Sequence, residues 1–191
     1  MDGPFGAGRF FEDFTVEDVY QHPLGRTITE VDNTWFTLLT MNTNQSHFNA
    51  HYAASSEFGK PIVNSGLTVA ILLGITVSDI SQNAIANLGW EEIRLTHPVF
   101  AGDTLYGESL VLELRESRSR PHAGIVTVRS RGLNQDGIEC LSWRRTVMVL
   151  KRSAPGAAGT FPTPAVPINS LVARSDAKPH SSREREKERL T

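Results

Sequence analysis

The chain has one cysteine, Cys140, so no intrachain disulfide can form and a packed core must hold the fold, which suits a reducing compartment. Neither charge is in excess: Lys and Arg number 19 against 21 Asp and Glu, for a net charge of -2. No basic stripe precedes Lys151, which argues against the electrostatic footprint of a nucleic-acid binder. Long apolar runs are missing too. The longest, residues 67–77, falls short of the roughly 20 residues that cross a bilayer. The opening MDGPFGAGRFFEDF has neither the basic start nor the apolar stretch of a secretory signal. Phosphate loops, dinucleotide glycine patterns and metal-ligand clusters are absent from the sequence. These absences lead us to expect a cytoplasmic protein without metal or redox cofactor, and without nucleic acid or membrane as partner.

What is present is a core. Apolar residues make up 39% of the chain, and a domain of about 150 residues buries roughly 70% of its unfolded surface. Composition changes after Arg152, first to APGAAGTFPTPAVPINS and then to SDAKPHSSREREKERLT. Neither stretch can bury enough apolar surface to offset the cost of ordering it. We therefore expect one domain over residues 1–152 and a disordered tail over 153–191.

Within the domain, RTITE (26–30) alternates like a strand, and Asp32 or Asn33 offers an N-cap for a helix through TWFTLLTM. Asn64 and Ser65 can cap a second helix, GLTVAILLGITVSDI, whose apolar residues lie on every side. Such a helix must be wrapped on all sides. Residues 85–95 form a candidate wrapping strand, followed by LYGESLVLELRE, GIVTVRSRGL and IECLSWRRTVMVLK, with NQDG (134–137) a hairpin turn between the last two. A curved antiparallel sheet around one buried helix is an α+β arrangement, the hot-dog fold. Its open sheet edge and incompletely covered face imply a homodimer or a higher homo-oligomer.

Two motifs carry the chemistry. The first is Met41-Asn42-Thr43-Asn44-Gln45-Ser46-His47 with Tyr52-Ala53 after it; the second is Pro98-Val99-Phe100-Ala101-Gly102-Asp103-Thr104-Leu105. Together they resemble the MaoC-like dehydratases, which include the R-specific enoyl-CoA hydratases, over residues 9–152. That family carries Gly-Asp-x-Asn-Pro-x-His in the first loop and PVxxGDTL in the second. The resemblance implies an aspartate and a histidine that activate one water for addition to a double bond conjugated to a thioester. His47 matches the histidine. Asn42 stands where the aspartate belongs, and an amide takes up no proton near neutral pH.

A narrower resemblance covers NTWFTLLTMNTNQSHFN, NLGWEEIRLTHPVF and SRPHAGIVTVRSRGLNQDG. These segments look like the branch associated with hydration of itaconyl-CoA or mesaconyl-CoA, branched five-carbon dicarboxylic thioesters. The resemblance implies that Asn42 is a form of the site. Two like charges about 4 Å apart repel by roughly 4 kcal/mol at an effective dielectric of 20. An aspartate beside a substrate carboxylate would meet that repulsion, whereas an amide can donate to it.

In this reading His47 is the acid/base, Asn42 its positioning partner, Asn44 orients water or substrate, and Ser65 and Gly66 offer helix N-terminal amides to the thioester oxygen. Arg94, Arg26 and Arg120 are candidate partners for a substrate carboxylate. Coenzyme A enters as the handle of the substrate. Two alternatives remain open: a non-catalytic acyl-thioester binding or assembly subunit, and a likeness of fold alone in which His47 is an ordinary loop residue. Gly102 and Asp103 read as a tight turn, Trp35, Phe36, Trp90 and Trp143 as core or interface residues, and His22, His97 and His122 as turn residues beside prolines.

Overall fold

Five of six strands in a computed structural model of the protein lie side by side in the order β1-β4-β5-β6-β3, every pairing antiparallel. The strands are β1 (Val19–Gln21), β2 (Arg26–Thr27), β3 (Ala84–Leu95), β4 (Thr104–Glu116), β5 (Ala123–Leu133) and β6 (Glu139–Leu150). The short β2 pairs with β4. Among the described residues three α-helices accompany them: α1 (Glu30–Leu39), α2 (Ala50–Ala53) and α3 (Ser65–Ile75). The structure describes residues 8–155, 157 and 162–169. Two units divide the chain, Met1–Ala157 and Ala158–Thr191, so the first runs a little past Arg152. The expected disorder of the tail falls mostly outside the described residues.

Alternation builds the sheet. On β6, Leu141, Trp143, Arg145, Val147 and Val149 are buried two residues apart and so share a face. Leu141 and Trp143 pack with Leu67, Leu72 and Ile75 of α3, while Val147 and Val149 join Val111, Val126, Val128 and Ile80 in a second cluster. Helix and sheet meet closely at Gly132 of β5, where a Cβ would stand 2.1 Å from the Leu72 side chain. Any other residue there would have to displace the Leu72 side chain. This is the hot-dog arrangement.

Two expectations are corrected. Helix α1 is capped by Thr29, neither by Asp32 nor by Asn33. Thr29 Oγ1 accepts from the Asp32 N–H at 3.1 Å and the Asp32 carboxylate accepts from the Thr29 N–H at 2.8 Å, a reciprocal box that starts the helix earlier and cuts the RTITE strand to Arg26–Thr27. Helix α3 is not wrapped all round: Gly66, Ala70 and Gly74 line an open stripe. Of the tryptophans read as core or interface residues, Trp143 is buried and Trp35 is 67% exposed.

The NQDG turn forms as read, with Gly137 at φ 76° and the Asn134 side chain accepting from the Asp136 and Ile138 N–H groups. Among the turn readings of histidines, His22 fails. It is 5% exposed on the loop after β1, its Nδ1 2.8 Å from Asp79 and its Nε2 2.9 Å from Ser109 Oγ, which in turn lies 2.7 Å from Ser130 Oγ. Burial holds its pKa below the ordinary histidine value. Arg145, buried on β6, donates to Asn87 and to Thr76 at the C-terminal end of α3, and burial lowers its pKa to about 10. No helix among the described residues is long and apolar enough to cross a membrane.

Candidate active site

Helix α1 ends in a reversal that launches the histidine loop. Met41 takes the left-handed conformation at φ 57°, its N–H donates to Leu38 O, and the Asn42 N–H reaches back to Thr37 O at 3.0 Å. Asn42 then folds the loop on itself, its Oδ1 accepting from the Asn44 N–H at 2.9 Å. Asn44 repeats the device by capping the single 3-10 turn Gln45–His47, its Oδ1 accepting from both the N–H and the hydroxyl of Ser46. In both residues the carbonyl oxygen is occupied by the loop. The Nδ2–H groups of both have no hydrogen-bond partner among the described residues and remain to be offered to a ligand.

His47 closes the loop against the segment that enters α3. Its Nδ1 lies 3.0 Å from the carbonyl oxygen of Ile62, and the Ile62 N–H donates to Ser46 O at 3.1 Å. A carbonyl can only accept, so Nδ1 carries a proton and Nε2 is the atom left for chemistry. The same segment is held from its other side, because the Val63 N–H donates to Val99 O at 2.8 Å and Ile62 bridges to Phe100. The PVFAGDTL motif therefore braces the entry to α3, which is why it accompanies the histidine loop. Asp103 is structural as expected: it accepts from the Phe100 N–H at 2.8 Å beside Gly102 at φ 99°.

At the start of α3, Asn64 is the N-cap and its Oδ1 accepts from the Gly66 N–H at 2.9 Å. The Gly66 amide is thus already satisfied. Gly66 is glycine for a packing reason: a Cβ there would lie 3.1 Å from the Phe36 ring and 3.2 Å from Asn64 Oδ1. Leu67 and Thr68 donate to Asn64 O. The Ser65 N–H, by contrast, has no hydrogen-bond partner among the described residues. Ser65 also lines a cleft of about 230 Å³ with Ile62, Thr68, Leu95, Thr96 and His97. A thioester oxygen in that cleft would meet a free amide at the positive end of a helix.

The candidate cations separate. Arg26 is paired with Asp32 at 2.8 Å, away from the loop. Arg94 precedes Leu95 of the cleft wall on exposed β3, but it pairs with Ser142 where Leu95 pairs with Leu141, so its side chain belongs to the sheet face opposite the cleft. Arg120 sits at the β4–β5 turn, where its backbone N–H donates to Ser117 Oγ. Sequence reasoning passed over two buried polar residues of α1, Asn33 and Thr37, and undervalued His97, which lines the cleft. Their signal was there: Asn33 and Thr37 stand one turn apart on a helix whose other residues are largely apolar.

Comparison with known proteins bears on the family and the fold. The family model described as mesaconyl-CoA hydratase matches residues 5–176. The mesaconyl-CoA hydratase of Cereibacter sphaeroides is 39% identical over 171 residues, covering 89% of this chain and 49% of that protein. The beta-methylmalyl-CoA dehydratase of Chloroflexus aurantiacus is 36% identical, covering 90% of this chain and 50% of that one. A crystal structure of a MaoC-domain dehydratase from Chloroflexus aurantiacus superposes with a TM-score of 0.74 at 36% identity, over 87% of this chain and 46% of that one. The chain spans about half the length of these relatives. Family model, identities and fold agree: this chain belongs to the mesaconyl-CoA hydratase family, within the MaoC-like dehydratases.

Proposed function

We propose that the protein adds water reversibly to an unsaturated acyl-CoA, a branched five-carbon dicarboxylic thioester such as mesaconyl-CoA or itaconyl-CoA. The observation that carries this reading is the orientation of His47: Nδ1 is committed to a backbone carbonyl, which leaves Nε2 to take a proton from water. As the water oxygen bonds to the β carbon, that proton goes to Nε2, and Nε2 returns a proton to the α carbon, for a net gain of one water. Negative charge gathers meanwhile on the thioester oxygen, which the free Ser65 N–H serves in place of Gly66. Asn42 and Asn44 present amide hydrogens and no negative charge, a lining that tolerates a second substrate carboxylate. Coenzyme A enters only as part of the substrate.

The assembly in this reading is a homodimer. Strand β3 is an edge strand exposed along nearly its whole length, with Ile85, Leu88, Trp90, Ile93 and Leu95 all open. Helix α1 turns Val31, Trp35, Leu38 and Leu39 outward. Faces this apolar are covered in a working protein. Because these relatives carry about as much chain again, a second copy of this chain is the occupant we propose. The same edge ends at the cleft, through Leu95.

Turnover of mesaconyl-, itaconyl- and crotonyl-CoA by the purified chain, followed by product mass alongside sedimentation, tests both statements. We expect a dimer that hydrates a dicarboxylic ester faster than crotonyl-CoA, and a loss of kcat of about 10²–10⁴-fold in His47→Ala. Binding of the esters without turnover would instead favour the binding-subunit alternative.

A further inference from the structure

Asn33 lies on the buried side of α1, 3% exposed, and no part of its side chain is idle. Its Nδ2 donates to His47 O at 2.7 Å and to Ile62 O at 3.1 Å, and its Oδ1 accepts from the Asn64 N–H at 2.8 Å. One amide therefore joins three separate pieces of chain: α1, the histidine loop and the entry to α3. Ile62 O is shared, since it receives both Asn33 Nδ2 and His47 Nδ1. A neighbour strengthens the tie, because Asn64 Nδ2 donates to Thr37 Oγ1 at 3.2 Å, one turn along α1 from Asn33.

We propose that Asn33 is a positioning residue for the reaction: it pins the His47 loop to the entry of α3 and so fixes the tautomer of His47 and its placement relative to the free Ser65 amide. The argument is geometric. Ile62 O can anchor His47 Nδ1–H only while it points into the loop, and Asn33 Nδ2 is the group that holds it and the His47 carbonyl together. No apolar residue could do this, and neither could aspartate, whose carboxylate would face two carbonyl oxygens. A base misplaced by about 1 Å loses on the order of 10²-fold in rate. Burying an amide on α1 where an apolar residue would pack costs a hydrogen-bonding group its water, and here every such group is repaid by a partner.

The inference rests on His47 being the acid/base, so its test has one arm that needs no turnover. Nitrogen NMR of the full chain labelled at histidine, assigned with His47→Gln, reads the tautomer directly. The expected result is Nδ1 protonated and Nε2 bare at mildly alkaline pH. Asn33→Asp keeps the acceptor for Asn64 and loses both donations; Asn33→Ser removes the double reach without adding charge. In both we expect the His47 tautomers to mix and kcat to fall by about 10–100-fold, with KM changed by no more than about threefold and a well-folded near-UV spectrum. A wild-type His47 protonated at Nε2, or folded Asn33 variants that keep tautomer and kcat, overturns the proposal. If the wild type hydrates no thioester while the tautomer is as expected and mixes in the variants, the hydratase reading fails and the positioning of His47 stands.

Discussion

Helices α1 and α3 have similar lengths and opposite burial. Helix α3 buries Leu67, Leu72 and Ile75 and opens a stripe of Gly66, Ala70 and Gly74; α1 buries Asn33 and Thr37 and exposes Val31, Trp35, Leu38 and Leu39. The difference follows from what each helix packs on. Helix α3 lies on the sheet and fills a core. Helix α1 sets Phe36 against the core and the start of α3, but beside it lie the histidine loop and the entry to α3, whose backbone groups need polar partners once water is excluded. Its inner face therefore carries Asn33 and Thr37 beside Phe36, and Val31, Trp35, Leu38 and Leu39 point outward to where a second copy is proposed to sit. One helix stabilises the fold and the other builds the site.

Replacing a buried residue on each helix should separate those two roles. Leu72, fully buried against β5 and the β6 cluster, is expected to cost about 2–5 kcal/mol as Leu72→Ala. Urea denaturation measures that loss, and kcat per folded molecule should stay near wild type. Thr37→Val, nearly the same shape, leaves Asn64 Nδ2 buried without its acceptor and should cost about 1–3 kcal/mol. Here kcat should fall further than the folded fraction does, because Asn64 caps α3 beside Ser65. Equal activity losses in the two variants, once corrected for folding, would erase the distinction between the helices.

The far end of α3 provides a third, smaller test. His22, Ser109 and Ser130, all buried, form a chain there with the half-buried Asp79 that works with a neutral imidazole, Nδ1–H donating to Asp79 and Nε2 accepting from Ser109. Burial lowers the folded-state pKa below the unfolded value of roughly 6.5. Between the two values the unfolded chain binds more protons, so stability rises with pH across that window. The contribution is complete above the unfolded value and is lost as pH falls toward the folded one, with a slope of at most about 1.4 kcal/mol per pH unit. Chemical denaturation at a series of pH values should show this slope in the wild type and a shallower one in His22→Gln.

Much of the fold was legible because alternation and turn chemistry act locally: β4, β5 and β6 and the NQDG turn stand within a residue or two of where the pattern put them. The α1 boundary was misread because Asp32 belongs to a capping box, and its partner Thr29 had been assigned to a strand. At the site, the placement of His47 after α1 could be read from the chain. The free amide could not be distinguished between Ser65 and Gly66, because that depends on where the Asn64 side chain turns. Asn33 was hidden for a similar reason. Its three partners come from positions up to 31 residues away, and only the folded chain brings them together.

The smallest expected effect concerns the join between α1 and the histidine loop. The resemblance to MaoC-like dehydratases puts a glycine at position 41, and here Met41 occupies a left-handed conformation at φ 57° with its side chain 87% exposed. A residue with a Cβ is crowded in that conformation by roughly 1–2 kcal/mol, from which glycine is exempt. Met41→Gly removes the crowding but frees the unfolded chain, so the net gain should be about 1 kcal/mol or less, seen as a small rise in Tm. Activity should hardly change, since the Asn42 N–H to Thr37 O bond that sets the loop's departure is a backbone bond. An exposed methionine kept at a strained turn, next to the outward Leu38 and Leu39, points to a use for the side chain beyond the fold of one copy. A dimer that dissociates more readily in Met41→Gly while each chain becomes more stable would place Met41 on the apolar face of α1; a gain in both would leave that face ending at Leu39.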